Sequence, residues 1–233
     1  MTADNSTALR FPFEERCDKA LRELREAAVL DVECAQFGEI SPLLADPASV
    51  FSTLSSGEDL PLSERVRGYF FRHDRIAAHW RVGDAGSRMV GEFSLTHIMR
   101  AVVEHYMDDI WEGDDDGERE LYSELRFFDD TPRSGSGRMA LLRVTPGVTD
   151  PEVWFFDTRQ GAMRMELDYP DYLDAVLVTK GVIGWQYLYC EPDFSGPGFV
   201  SCSAGLQEML ETFPVLFPDH DYTDLRSRLQ ERL

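Results

Sequence analysis

Lysine is almost absent from this chain: its 233 residues hold two, Lys19 and Lys180, against twenty-one arginines. That ratio fits coding in a GC-rich genome and says nothing about chemistry. Basic residues as a whole are scarce, since 23 Lys and Arg face 43 Asp and Glu and leave a net charge of −20. Nucleic-acid binders draw affinity from clustered cations on the phosphate backbone, and proteins that dock on anionic lipid need the same. Both partners are therefore disfavoured. Long apolar runs are missing too. The longest candidate, 175–190, is interrupted by Lys180 and falls short of the roughly 18 residues of a membrane span. The opening MTADNSTALRFPFEER is polar and does not read as a signal peptide. Four cysteines (Cys17, Cys34, Cys190, Cys202) form no CxxC and no zinc-like spacing, so they read as reduced thiols in or near a core. The expectation is a soluble, cytoplasmic protein.

Signatures of catalysis are equally thin. There is no G-x-S-x-G elbow, no P-loop, no GxGxxG and no HExxH, and Gly135-Ser136-Gly137 reads as a turn between strands. No cofactor and no metal are expected. Cys190 and Cys202 have Glu191 and Asp193 nearby, which opposes a thiolate. No internal repeat is present.

What is present is core material: 43% hydrophobic and 12% aromatic residues. This is enough for one large domain, or one domain with an N-terminal extension over 1–59. Apolar residues at Phe13, Cys17, Ala20, Leu21, Leu24 and Ala28 fit a helix over 13–30, with Pro12 at its start. Ser41-Pro42 and Asp46-Pro47 read as N-caps of short helices, and Leu62–His73 as another helix. RIAAHWRV (75–82) and SRMVGEFSL (87–95) read as a β-hairpin, after which Ser94 would cap a helix over 96–111. An acidic loop leads to strands at 125–130, 138–146, 152–158 and 163–168. Helices are expected at 170–181, ending on Gly181, then at 204–212 and 221–232. The fold class is α+β: a central antiparallel β-sheet flanked by N-terminal and C-terminal helices.

Several local phrases follow one order. Leu60-Pro61 precedes Val66, Tyr69-Phe70, His73-Asp74 and Trp80; then come Gly91-Glu92-Phe93-Ser94-Leu95, Val153-Trp154-Phe155-Phe156-Asp157 and Tyr169-Pro170-Asp171-Tyr172-Leu173. This plan, over about 60–180, resembles the SUKH superfamily, which includes bacterial toxin-immunity proteins and a yeast regulator of cell-wall synthesis. Where that family has Asn-Gly-Gly or Asp-Gly, this chain has Asp74-Arg75. The resemblance implies a SUKH-like domain over 60–233 with a helical tail, and a binding module with no universal catalytic set.

The most unusual feature is acidic. Residues 108–130 hold eleven carboxylates against Arg119 and Arg126, close to half of the net charge. Such a block reads either as a solvated loop or as a patch steering a basic partner. Asp114-Asp115-Asp116-Gly117 lacks the spacing of a calcium loop. On the binding reading, Asp114, Asp115, Asp116, Glu118 and Glu120 set the on-rate and Trp111 is the anchor. The partner implied is a basic protein, with no nucleic acid and no membrane, and the oligomeric state is left open. The concrete form is an immunity-type protein that occludes a basic toxin or enzyme. A rival reading is an enzyme with His97 or His105 as general base and Glu104 or Asp108 orienting it; Asp109, four residues after His105, would share its face. A regulatory scaffold is a third. Trp185, Tyr187 and Tyr189 alternate, reading as core or as an interface.

Overall fold

The computed structural model describes residues 11–84, 86–108, 110–192 and 197–233. The first ten residues, Asp109, Asp193 and Phe194 lie outside them. Helix α1 (Pro12–Glu26) buries Phe13, Cys17, Ala20, Leu21 and Leu24, as the spacing predicts. It stops four residues before the expected Leu30. The chain turns there, Leu30 N–H donating to Ala27 O at 2.9 Å, and continues as strand β1 (Leu30–Phe37). This strand is illegible in LDVECAQF because it is only half-buried and bulged between Val32 and Cys34. β1 pairs antiparallel with β2 (Ile76–Val82), and β2 with β3 (Val90–Leu95), the expected hairpin. The stretch read as a helical extension thus carries a strand of the sheet, and its apolar residues join the main core.

Ser41-Pro42 opens a 3-10 turn (Pro42–Leu44). Asp46 caps α2 (Pro47–Gly57), its carboxylate accepting from the N–H groups of Ala48 and Ser49. The helix expected over 62–73 is a single turn, α3 (Glu64–Arg67), capped by Ser63. Beyond it the neighbouring Phe70 and Phe71 both enter the core, each edge-on to the His97 ring. Helix α4 (Ile98–Glu104) is capped by His97 rather than by Ser94, which lies inside β3. It ends well before 111 because the chain then pairs along another strand: Phe127 N–H donates to His105 O and Met107 N–H to Leu125 O, both at 3.1 Å.

That strand is β4 (Leu125–Asp130). With β5 (Arg138–Arg143), β6 (Glu152–Asp157) and β7 (Gly161–Asp168) it forms an antiparallel meander. Gly161, at φ 76°, makes the tight β6–β7 turn. The fold is α+β, as expected. The single central sheet is, however, two sheets of three and four strands among the described residues. They touch at one seam, where Thr96 N–H donates to Phe128 O at 2.7 Å and Ser94 N–H to an Asp129 carboxylate oxygen at 2.7 Å. A bulge at Phe128 lets Phe128 and Asp129 both reach the Tyr172 side chain.

Helix α6 (Tyr169–Thr179) ends through two left-handed residues, Lys180 (φ 52°) and Gly181 (φ 68°), with Gly181 in the expected terminating place. A Cβ on Gly181 would lie 2.6 Å from Glu92 O, because residues 181–183 run along the open edge of β3. A 3-10 turn (Trp185–Tyr189), α7 (Pro197–Leu216) and α8 (Thr223–Arg232) complete the fold. The main core runs from Phe13 to Leu229. A smaller cluster, Met107, Tyr122, Leu125, Leu141 and Phe156, involves the four-stranded sheet. Each large apolar side chain so buried contributes about 1.5–3 kcal/mol. Among the described residues no helix is long and apolar enough to cross a membrane.

Candidate functional site

The acidic segment, expected as a loop, is in part a helix: α5 (Asp116–Glu124). Its own carboxylates start it. Asp115 is the cap, accepting from Glu118 N–H at 2.9 Å, while the Glu118 carboxylate accepts from Asp114 N–H at 2.8 Å. Arg119 closes the turn, donating to Gly113 O at 3.0 Å and to Asp116 at 2.6 Å. Only glycine fits at 113, since a Cβ there would come within 2.6 Å of Arg119 N. Tyr122 anchors the inner side of α5 in the smaller cluster.

The outer side is charged. Asp108, Glu112, Asp114, Asp115, Asp116 and Glu120 are exposed and Glu118 is half-buried. The two cations of the stretch do little to offset them. Arg119 is committed to Gly113 and Asp116, and the Arg126 guanidinium lies 3.9 Å over the Tyr106 ring while donating to Ser123 O and Leu125 O. Burial, together with the negative field of Glu118, Asp114 and Asp115, raises the Tyr122 pKa. Two apolar side chains stand just before this helix: Ile110 is 50% exposed and Trp111 38%. Trp111 rests edge-on against Phe156, with ring centroids 5.4 Å apart.

The histidine reading does not assemble. His97 is 1% exposed; its Nδ1 accepts from Met99 N–H at 3.1 Å, and burial lowers its pKa to about 3. It is a neutral helix cap that no substrate reaches. His105 sits at the other end of α4, stacked on the Phe127 ring at 4.3 Å, with Nδ1 3.1 Å from Phe127 O. Burial lowers its pKa also. Glu104 pairs with Arg100 at 2.7 Å, and Asp108 is exposed. Asp109, the further partner expected for His105, lies outside the described residues. Among the described residues no group of three or more His, Cys, Asp or Glu is placed to hold a metal.

Trp185, Tyr187 and Tyr189 lie in a 3-10 turn and are all buried, which corrects the interface reading and supports the core one. The cysteines are buried. Burial pushes the Cys202 thiol up to about 11 and Cys190 to about 12, far from reactive thiolates.

Sequence reasoning missed a set of buried ionisable side chains. Glu14 accepts from the Phe11 and Arg72 N–H groups and from the Arg72 guanidinium. Glu92 accepts from the N–H groups of Arg133 and Ser134. Asp129 accepts from Tyr172 OH at 2.6 Å as well as from Ser94. Asp157 accepts from Arg138, Tyr187 OH and Arg159 N–H. Lys180, wholly enclosed, donates to Glu23 at 2.5 Å and to Leu177 O at 2.8 Å. The available signal was weak: acids inside or at the ends of otherwise apolar strands such as LRFFDD and EVWFFD. Comparison with family models, with curated proteins and with solved structures finds no match for this chain.

Proposed function

We propose that this chain is a non-enzymatic, SUKH-like binding protein whose α5 face docks a basic protein. Its concrete form is a cytoplasmic immunity-type protein that occludes a basic toxin or enzyme. One observation carries the reading: Ile110 and Trp111 stand exposed at the head of a helix whose outward carboxylates have no free cation beside them in the same stretch. An apolar anchor bordered by charge is the usual composition of a binding hot spot and its rim. Asp114, Asp115, Asp116, Glu118 and Glu120 then steer the encounter, and Trp111 holds the complex. The rival acid–base reading loses support because His97 is sealed in the core.

The test is a pull-down from the native host at low salt. It is repeated with Asp114, Asp115, Asp116, Glu118 and Glu120 changed to Asn or Gln, and followed by binding kinetics on the protein recovered. The expected result is one basic protein whose association slows about tenfold or more in the neutralised variant and in high salt. Trp111→Ala should mainly speed dissociation. Recovery of no partner, or of one indifferent to all six changes, overturns the reading.

A further inference from the structure

A different part of the surface points to a small ligand. A cavity of about 270 Å³ opens between the β4–β5 turn, the 181–183 segment and α7. Val90, Val182 and Ile183 form its apolar wall; Arg88, Ser134 and Arg138 form its polar side. The polar side is held in place. Glu92, buried, accepts from the N–H groups of Arg133 and Ser134 at 2.6 and 2.8 Å. The Arg138 side chain, 7% exposed, donates through Nε to Asp157 at 2.7 Å and through Nη2 to Gly198 O at 3.3 Å. Its Nη1 has no protein partner among the described residues.

Two arginines line the cavity, the exposed Arg88 and the buried Arg138. The nearby Glu208 is engaged with the Arg88 backbone N–H at 3.2 Å. Asp157 pairs with Arg138 through Nε, which leaves the Nη1 donors of Arg138 and the Arg88 guanidinium to meet an acceptor in the cavity. Guanidinium and hydroxyl groups offer donors in the planar arrangement that a carboxylate matches. The volume lies just below the roughly 300–1,000 Å³ of most ligand sites, which is too small for a nucleotide. The apolar wall calls for a hydrocarbon body.

We infer that this cavity binds a small monocarboxylic acid. Its carboxylate meets Arg88, Arg138 and the Ser134 hydroxyl, and its hydrocarbon part packs on Val90, Val182 and Ile183. The test is calorimetric titration of the full chain with benzoate and hexanoate, against benzamide, hexanamide and inorganic phosphate. The two carboxylates should bind saturably, and the amides about tenfold or more weakly.

Two variants separate binding from folding. Arg88→Gln, on an exposed side chain, should weaken the carboxylates about tenfold at an unchanged melting temperature. Gly205→Leu should abolish binding by filling the cavity. It is tolerated because a Cβ there meets nothing closer than Arg88 O at 3.6 Å, and removing glycine from a helix favours folding. The inference is overturned if amides bind as well as acids, if phosphate is preferred, if wild type shows no saturable binding at millimolar ligand, or if both variants, folded, bind undiminished.

Discussion

Two populations of carboxylates share this molecule and lead opposite lives. Glu14, Glu92, Asp129 and Asp157 are buried, and each accepts from two or more donors brought from distant parts of the chain. Asp114, Asp115 and Asp116, at the start of α5, are exposed and Glu118 is half-buried, and the hydrogen bonds they make reach only three or four residues; Glu124, at the far end of the helix, pairs instead with Arg143. A buried charge must be met by fixed donors or it destabilises the fold. A solvated one is free of that demand and is available to a partner. The same residue types therefore hold the fold in one place and leave a charged face in the other, and substitution should separate the two roles.

The sharpest break is Asp157→Ala. It strands the Arg138 guanidinium and Tyr187 OH in the core, and should cost about 3–5 kcal/mol in denaturant unfolding. The paired change Asp157→Asn with Arg138→Gln should recover much of this loss, because no unpaired charge remains.

Acidity should split the buried set itself. Burial alone would raise the pKa of Glu14 and Asp157, but hydrogen bonds outweigh it and hold both below the ordinary range: from Arg72 to Glu14, and from Tyr187, Arg159 and Arg138 to Asp157. Their contribution is present above the unfolded carboxylate value and is lost as pH falls through the folded one. Asp129 runs the other way. Burial raises it from 3.8 to about 7 against the bonds from Tyr172 and Ser94. Its contribution is complete below 3.8 and fades as pH rises through about 7. Asp129→Asn should therefore gain on wild type in unfolding free energy as pH rises across that window. A gap that stays constant or narrows would show that Asp129 is not a protonated acid in the fold.

Within the exposed set one residue should behave differently. Asp115→Ala removes the α5 cap and should cost about 1 kcal/mol, whereas Asp115→Asn keeps the acceptor and should cost almost nothing; chemical denaturation of the two variants distinguishes them. Smallest of all, Asp114→Asn with Glu120→Gln should shift stability by less than about 0.5 kcal/mol, while still weakening any salt-sensitive association.

The elements legible in the sequence were those with a strong local cause. The hairpin of β2 and β3, the β4–β7 meander, α1, and α6 ending at Gly181 all carry periodicity, capping residues or turn glycines. Failures came where distant contacts overrule local pattern. β1 exists because β2 offers a partner, and the helix after residue 96 stops because 105–107 bond to the edge of β4. The candidate face was legible as charge, yet its helix was not, because the cap and its reciprocal bond sit inside a run that reads as solvated acid. The donors gathered around Glu14 or Asp157 come from up to 58 residues away, and no local pattern announces them.

The enclosure of Lys180 has a practical side. Of the two primary amines that lysine supplies to this chain, one is sealed against Glu23 and the Leu177 carbonyl. Reagents and enzymes that act on lysine side chains therefore find Lys19 alone on the folded surface. Lysine-directed crosslinking would have that one side chain from which to reach a partner on the acidic face, whereas carbodiimide coupling, which activates carboxylates toward the partner's lysines, would have its reactive groups already in place.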